Sequence, residues 1–567
     1  MATLAFAAAG AAVGSAVLPA GISVFGTAIT GATIGAQVGA HAGSFVDQAL
    51  FGPGGQTRIF EGPRLDDLHV TTSSEGAAIP RIYGAARVGG QVIWATDFEE
   101  ERVTRQAGGQ SKGFGGGGGA TEVSYRYYAS FAVALGEGEI TGLGRIWADG
   151  EEWDLTNVAY RLHSGSETQA PDPLIEAYLG SGNTPAYRGT AYIVFERLPL
   201  EPFGNRLPQL SFEVFRSIDD FQKEVRGVVI IPGSGEFVYA TKPVEREEFG
   251  GEFVAENVHT REAATNWSAS LDHLARTLLN VTSASLITCW FGNDLRAGDR
   301  LVRPGVERDE KVTRPRNWRV AGLSRNQVYV VSKDAGRPAY GGTPSDDSVI
   351  EAIADLKARG IKPVLTLFLL MDVPAGNSLP DPWTGGAGQP AYPWRGRLTV
   401  EPAPGRPGSP DKTAAAGSQV AAFVGTAAVS DFSIVAGNVV YSGPAEWSYR
   451  RFILHYAHLA LAAGGVDAFV IGTEMRGIST VRNGAESYPF VAALAQLAAD
   501  VKQVLGSATT VTYAADWSEY FGHQPNDGSG DVFFHLDPLW ASPDIDCVGI
   551  DLYWPLADWR DGDAHLD

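Results

Sequence analysis

Three carboxylates close apolar runs in the second half of this sequence: Glu474 in VDAFVIGTEMRGI (466–478), Asp516 in TTVTYAADW (509–517) and Asp551 in DIDCVGIDLYWP (544–555). A β-branched and aromatic run that stops abruptly at Gly-Thr-Glu is the pattern of a buried parallel strand delivering one acid to the end of a sheet. Two such acids facing each other suit glycoside hydrolysis, standing about 5 Å apart for retention and further apart for inversion. One of the pair must be kept protonated by its surroundings. Trp517, Tyr553 and Trp554 sit beside these acids, and Trp383, Tyr392 and Trp394 lie in a long Pro/Gly-rich stretch. Such rings stack on sugars, but they also fill space at the top of a sheet. Glu474 therefore has two readings, a catalytic acid or a partly buried structural acid paired with Arg476 or a neighbouring arginine. Asp516 and Asp551 with Trp517, Tyr553, Trp554, Trp383 and Trp394 are the candidate carbohydrate-binding set. Asp372 in MDVPAGN either caps its loop or touches substrate.

Other chemistries find less support. The 10 histidines are scattered with no HExxH or paired spacing, and there is no GxSxG elbow. The glycines of GFGGGGGA (113–120) lack the Lys-Ser/Thr and following helix of a phosphate loop, so they read as a mobile hairpin tip. No cofactor and no metal is expected. Only 2 cysteines occur, Cys289 and Cys547, each in an apolar run, and both read as packed core thiols. The net charge of −21 argues against general affinity for DNA or anionic lipid.

The elements that must position these residues divide the chain. Residues 1–50 are a Gly/Ala-rich segment whose first charged side chain is Asp47, with glycines at 31, 35, 39 and 43. On a helix that spacing lines small residues along one face. Three readings stay open for residues 1–46: a membrane-penetrating hairpin, helices buried inside an oligomer, or a Gly/Ala tail. Residues 51–244 alternate at period two, as in Tyr125, Tyr127, Ala129, Phe131 and Val133, and the Asp-Gly of WADGEEW (147–153) predicts a hairpin turn. Residues 245–567 alternate amphipathic helices with apolar runs, which predicts an α/β (β/α)8 TIM-barrel-like domain with a loop insertion at 374–446. Six strands are expected there, at 285–292, 326–332, 362–370, 466–474, 509–517 and 544–555. Six strands do not close a barrel, so this reading expects completion by residues of a longer polypeptide or by another chain. The fold class is thus multidomain: a helical N-terminal segment, a β-rich domain and an incomplete barrel.

The segments IPRIYGAARVGGQVIW (79–94), 128–150 and 187–214 resemble the hub region of long-tailed phage tail-tip proteins. WFGNDLRAGD (290–299), PGVE (304–307), MDVPAGN (371–377), YPWRGRLT (392–399) and IGTEMRG (471–477) resemble the barrel of the large baseplate protein, called megatron, of gene transfer agents and related phages. The resemblance covers nearly all of 56–567, with the two halves in that family's order. It implies a virion structural protein at the distal end of the tail, a homotrimer around the tail axis in contact with other tail hub and distal tail proteins. It also implies closure of the tail tube, attachment to the host envelope or a surface glycan, and passage of DNA that is not specifically bound. Residues 1–46 would lie near the axis or contact a membrane. The barrel also resembles a clan of glycosidases whose acid ends the fourth strand and whose nucleophile ends the seventh. Glu474 falls at the acid's position. Thr473 replaces the clan's usual asparagine, and the seventh strand, with any nucleophile, is expected beyond Asp567. The alternative functions are therefore a glycoside hydrolase acting on surface polysaccharide or peptidoglycan, and a carbohydrate-binding barrel without hydrolysis.

Overall fold

The computed structural model describes residues 78–553 apart from 108–119, 218–219, 232–233 and 249, together with three short strands at 22–24, 27–29 and 59–61. Within the segment expected to be helical, Ile22–Val24 pairs antiparallel with Thr27–Ile29; the rest of the glycine-rich run lies outside the described residues, as does most of GFGGGGGA.

The β-rich region is built around one long strand, Ala120–Glu137. It pairs antiparallel with Thr190–Pro199, Gln91–Ala95 and Glu99–Ala107. A second sheet orders Gly84–Val88, Leu210–Arg216, Gly142–Ala148 and Glu151–Glu152. The predicted period-two face is real: Tyr127, Ala129, Phe131 and Val133 enter one core with Phe195, Phe212 and Val214, and Tyr125 packs against it. The Asp-Gly turn is equally local in origin. Asp149 (φ 53°) and Gly150 (φ 91°) both adopt the left-handed backbone that a two-residue hairpin requires, and Ala148 pairs with Glu151 across it.

The second region is a curled parallel sheet of six strands in chain order: β1 (Gly227–Ile230), β2 (Ser283–Gly292), β3 (Lys362–Met371), β4 (Ala468–Thr473), β5 (Thr510–Asp516) and β6 (Gly549–Asp551). Every neighbouring pair of these six is parallel, and a short seventh strand, Val302–Arg303, pairs antiparallel with the end of β2. The crossovers carry helices α1 (Asn266–Thr277), α2 (Asp346–Ala358), α3 (Ala414–Val424), α4 (Tyr449–Ala462) and α5 (Pro489–Leu505). Local signals set several of their ends. Ser448 caps α4 by accepting from Arg451 N, and Gly360 (φ 75°) stops the chain after α2. Helix α4 is buried nearly all round, since both the sheet and the insertion cover it, and Tyr449, Phe452, Leu454, Tyr456 and Leu459 all enter the main core.

Three expectations are corrected. The apolar run 326–332 is not a barrel strand: only Tyr329–Val330 pairs, with Gly305–Val306, and Val331 packs on Cys289 and Phe291. Burial on the face of β2 and this short pairing outside the barrel sheet account for the run's apolar composition. The first barrel strand is instead β1, which precedes the expected boundary at 245; the count of six and the fourth place of β4 both survive. The insertion 374–446 is more than a loop, because α3 and the hairpin Phe432–Val435/Asn438–Tyr441 are folded within it. Its Phe423 packs on Tyr449 and Phe490, so the insertion belongs to the barrel core. Of the two cysteines, Cys289 is buried as expected and Cys547 is exposed. Around Cys547, Val548 and Ile550 are exposed too, because nothing among the described residues covers that face of β6.

The two regions meet along α1. The Arg276 carbonyl accepts from Thr141 Oγ1 at 2.6 Å, its guanidinium lies 5.7 Å from the Phe215 ring centroid, and His273 packs on the same ring of the second sheet.

Candidate functional site

Parallel pairing places Asp516 and Asp551 side by side at the ends of β5 and β6. Glu474 joins them one strand along, where its backbone N–H donates to the Ala514 carbonyl at 2.9 Å. Glu474 leaves β4 with φ 51°, a left-handed conformation that costs a non-glycine residue energy and is held only by surrounding contacts. Those contacts are identifiable. Arg395 Nη2 lies 2.9 Å from Glu474 Oε2, and Trp394 Nε1 donates to the same oxygen at 2.6 Å. Arg395 is itself fixed, donating from Nε to the Thr473 carbonyl at 2.9 Å and lying 4.1 Å over the Phe368 ring. Glu474 is 5% exposed, so its carboxylate is committed to protein partners.

Asp516 is equally engaged. Its carboxylate accepts from Ser518 N at 3.0 Å and from Ser518 Oγ, and Glu519 reaches back to Asp516 N at 2.9 Å, which completes a capping box. Asp551 differs, since burial and then the charges of Glu474 and Asp516 push its carboxyl up to about 6, against the pull of Arg395. The surroundings of Asp551 thus favour its protonated form up into the mildly acidic range.

Glu519 was not singled out from sequence, although the Asp-Trp-Ser-Glu spacing of a capping box was readable. It is 2% exposed, and burial pushes its carboxyl up to about 7 despite hydrogen bonds from Ser479, Asp516 N and Tyr513. Ser479 Oγ donates to it at 2.6 Å and also lies 3.3 Å from His535 Nε2. Asp372 holds its loop, accepting from Ser332 N at 2.8 Å.

The aromatic candidates separate from the acids. Trp383, Trp394 and Trp517 line one cleft of about 940 Å³ between the insertion and the loops after β4 and β5; neither Glu474 nor Asp551 is in its lining. Trp394 is the link, with its ring in the cleft and its indole N–H on Glu474. Gly396 permits that pose, because a Cβ there would stand 2.4 Å from the Trp394 ring. Tyr553 is 79% exposed at the rim, raised in pKa chiefly by the Glu474 charge, and is not part of the cleft. Trp554 lies outside the described residues.

Among the described residues two groups of acids have metal-like spacing, and neither is free for a cation. Lys311 Nζ sits within ion-pair distance of Glu236, Glu256 and Glu307, while Glu213 and Glu262 hold Arg145 and Arg276.

A family model described as "GTA TIM-barrel-like domain" matches residues 447–567. The chain is 38% identical to a chain of the virion of a native gene transfer agent particle, over 37% of this chain and 45% of that one, with a TM-score of 0.22. It thus spans less than half of the virion chain. A GH113 β-mannanase from Alicyclobacillus acidocaldarius, in complex with ManMIm, is 16% identical over 60% of this chain and 64% of its own, with a TM-score of 0.29. A second GH113 β-1,4-mannanase is 15% identical over 49% and 54%, with a TM-score of 0.24. No curated protein matches the sequence. Residues 447–567 therefore match a GTA TIM-barrel-like domain, in agreement with the resemblance of this chain to gene transfer agent tail proteins drawn from separate motifs.

Proposed function

We propose that this chain is a structural component of a gene transfer agent particle or a related phage tail, placed at the distal end of the tail. The β-rich region would build a ring with copies of itself, as a homotrimer around the tail axis in contact with other tail proteins. The barrel would lie at the periphery, where it touches a host surface glycan before DNA delivery. The observation that carries this reading is the order within one chain: a two-sheet β-rich region that packs through α1 onto a barrel whose second half matches the GTA TIM-barrel-like domain. The engagement of Glu474 by Arg395 and Trp394 supports a structural or binding role for the barrel over hydrolysis with Glu474 as the acid. Membrane contact through residues 1–46 belongs to the same proposal and rests on sequence alone.

Quantitative mass spectrometry of purified particles tests this assignment. The expected result is that the chain co-purifies with particles at a trimer's worth of copies per tail, far below the tube protein. A chain found only in the soluble fraction, or at the tube protein's stoichiometry, would overturn it.

A further inference from the structure

The cleft beside the carboxylate rim contains two cations that the fold leaves without counter-ions. Arg397 ends the turn Arg395–Arg397 and Arg476 opens the turn Arg476–Ser479. The two turns abut, since a Cβ on Gly477 would stand 2.4 Å from the Leu398 carbonyl oxygen and 2.7 Å from that of Gly396. Elsewhere in this cleft the cations are matched, Lys412 with Asp527 at 2.8 Å and Arg482 with Asp411 at 2.8 Å. Arg397 and Arg476 have no ion pair among the described residues, and Arg397 Nε is buried without an acceptor. In a chain of net charge −21, acidic partners are abundant, so two guanidinium groups on abutting turns without a carboxylate, Arg397 lying only 5.9 Å from the Trp383 ring centroid, mark a place for an anion from outside.

The rest of the lining narrows its chemistry. Trp383 is fixed by donating from Nε1 to the Arg397 carbonyl at 2.7 Å, Trp394 is fixed through Glu474, and Trp517 is 48% exposed. Oriented indole faces suit the C–H faces of pyranose rings, and guanidinium forks take carboxylates in bidentate fashion. A nucleic acid would need a longer basic track than two arginines in an acidic protein.

We propose that this cleft binds a saccharide chain bearing carboxylates, a uronate-containing glycan, with Arg397 and Arg476 on the acid groups and the three tryptophans against the rings. This rests on the reading of the barrel as the glycan-contacting module, but not on membership of the particle. Calorimetric titration of the full chain with an oligogalacturonate, its fully methyl-esterified form and inorganic phosphate tests it. The acid form should bind, and the ester should bind roughly tenfold more weakly or worse. Arg397→Gln with Arg476→Gln should weaken the acid form by a similar factor, and Trp517→Ala should weaken it too, with thermal unfolding unchanged in each variant. Equal binding of acid and ester, or undiminished binding by the arginine variant, would overturn the acidic specificity while leaving glycan contact standing. Phosphate binding as tight as the oligosaccharide would reduce the site to an anion site and overturn the proposal. Absence of any binding would overturn both the proposal and the glycan-contacting reading of the barrel.

Discussion

Arg395→Leu destabilises the barrel by about 3–5 kcal/mol, the cost of leaving one member of a buried ion pair alone. Arg395 is 8% and Glu474 5% exposed, and the pair closes at 2.9 Å. The variant also removes the donor to the Thr473 carbonyl and the cation over Phe368. What remains is a buried Glu474 next to Asp516 and Asp551, with only Trp394 donating to it. Adding Glu474→Gly to Arg395→Leu should recover part of the loss, because it removes the unpaired anion and gives the left-handed position at 474 to the residue that adopts it freely. Chemical denaturation of the three variants measures this. A cost below about 1 kcal/mol for the single variant would show that Glu474 is solvated and available, which would restore it as a candidate acid.

Glu519→Gln changes how stability depends on pH. In the folded protein the Glu519 carboxyl is raised from 4.5 to about 7, chiefly by burial. Its stabilising contribution is therefore full below pH 4.5 and is lost as pH rises through 7. His523 and His535 are lowered from 6.5 to about 4, again chiefly by burial. Theirs is full above pH 6.5 and is lost as pH falls through 4. In the wild type these opposite slopes offset each other between pH 4.5 and 6.5. With Gln at 519 the histidines act with less opposition, so stability should fall more steeply on acidification. Relative to the wild type, the variant should gain about 3 kcal/mol between pH 4.5 and pH 8. Urea midpoints at several pH values read this directly. Parallel pH profiles for wild type and variant would mean that Glu519 is ionised across the whole range.

The acid rim was legible because a parallel strand announces itself by composition and ends where its polar residue begins. That is why Glu474, Asp516 and Asp551 could be placed on neighbouring strand ends from their runs alone. Glu474's partner was not legible, since Arg395 lies in the insertion and only the fold brings Trp394-Arg395 back over β4. The sequence offered the adjacent Arg476, which instead faces the cleft. Trp383, Trp394 and Trp517 were expected to share a site with the acids. They do share a cleft, but the turn at 394–397 separates it from the acid cluster. Strand β1 was missed because four paired residues give too short a run for periodicity, whereas 326–332 has a strand's composition and uses it to pack on a sheet face. In the β-rich region period two and the Asp-Gly turn sufficed, since both are set by local backbone geometry.

The measurement that bears most directly on the proposed role is immunogold electron microscopy of purified particles with an antibody against the barrel. Labelling confined to the tail end far from the head is the predicted result. Gold along the tail or on the head, or particles that carry none, would contradict it.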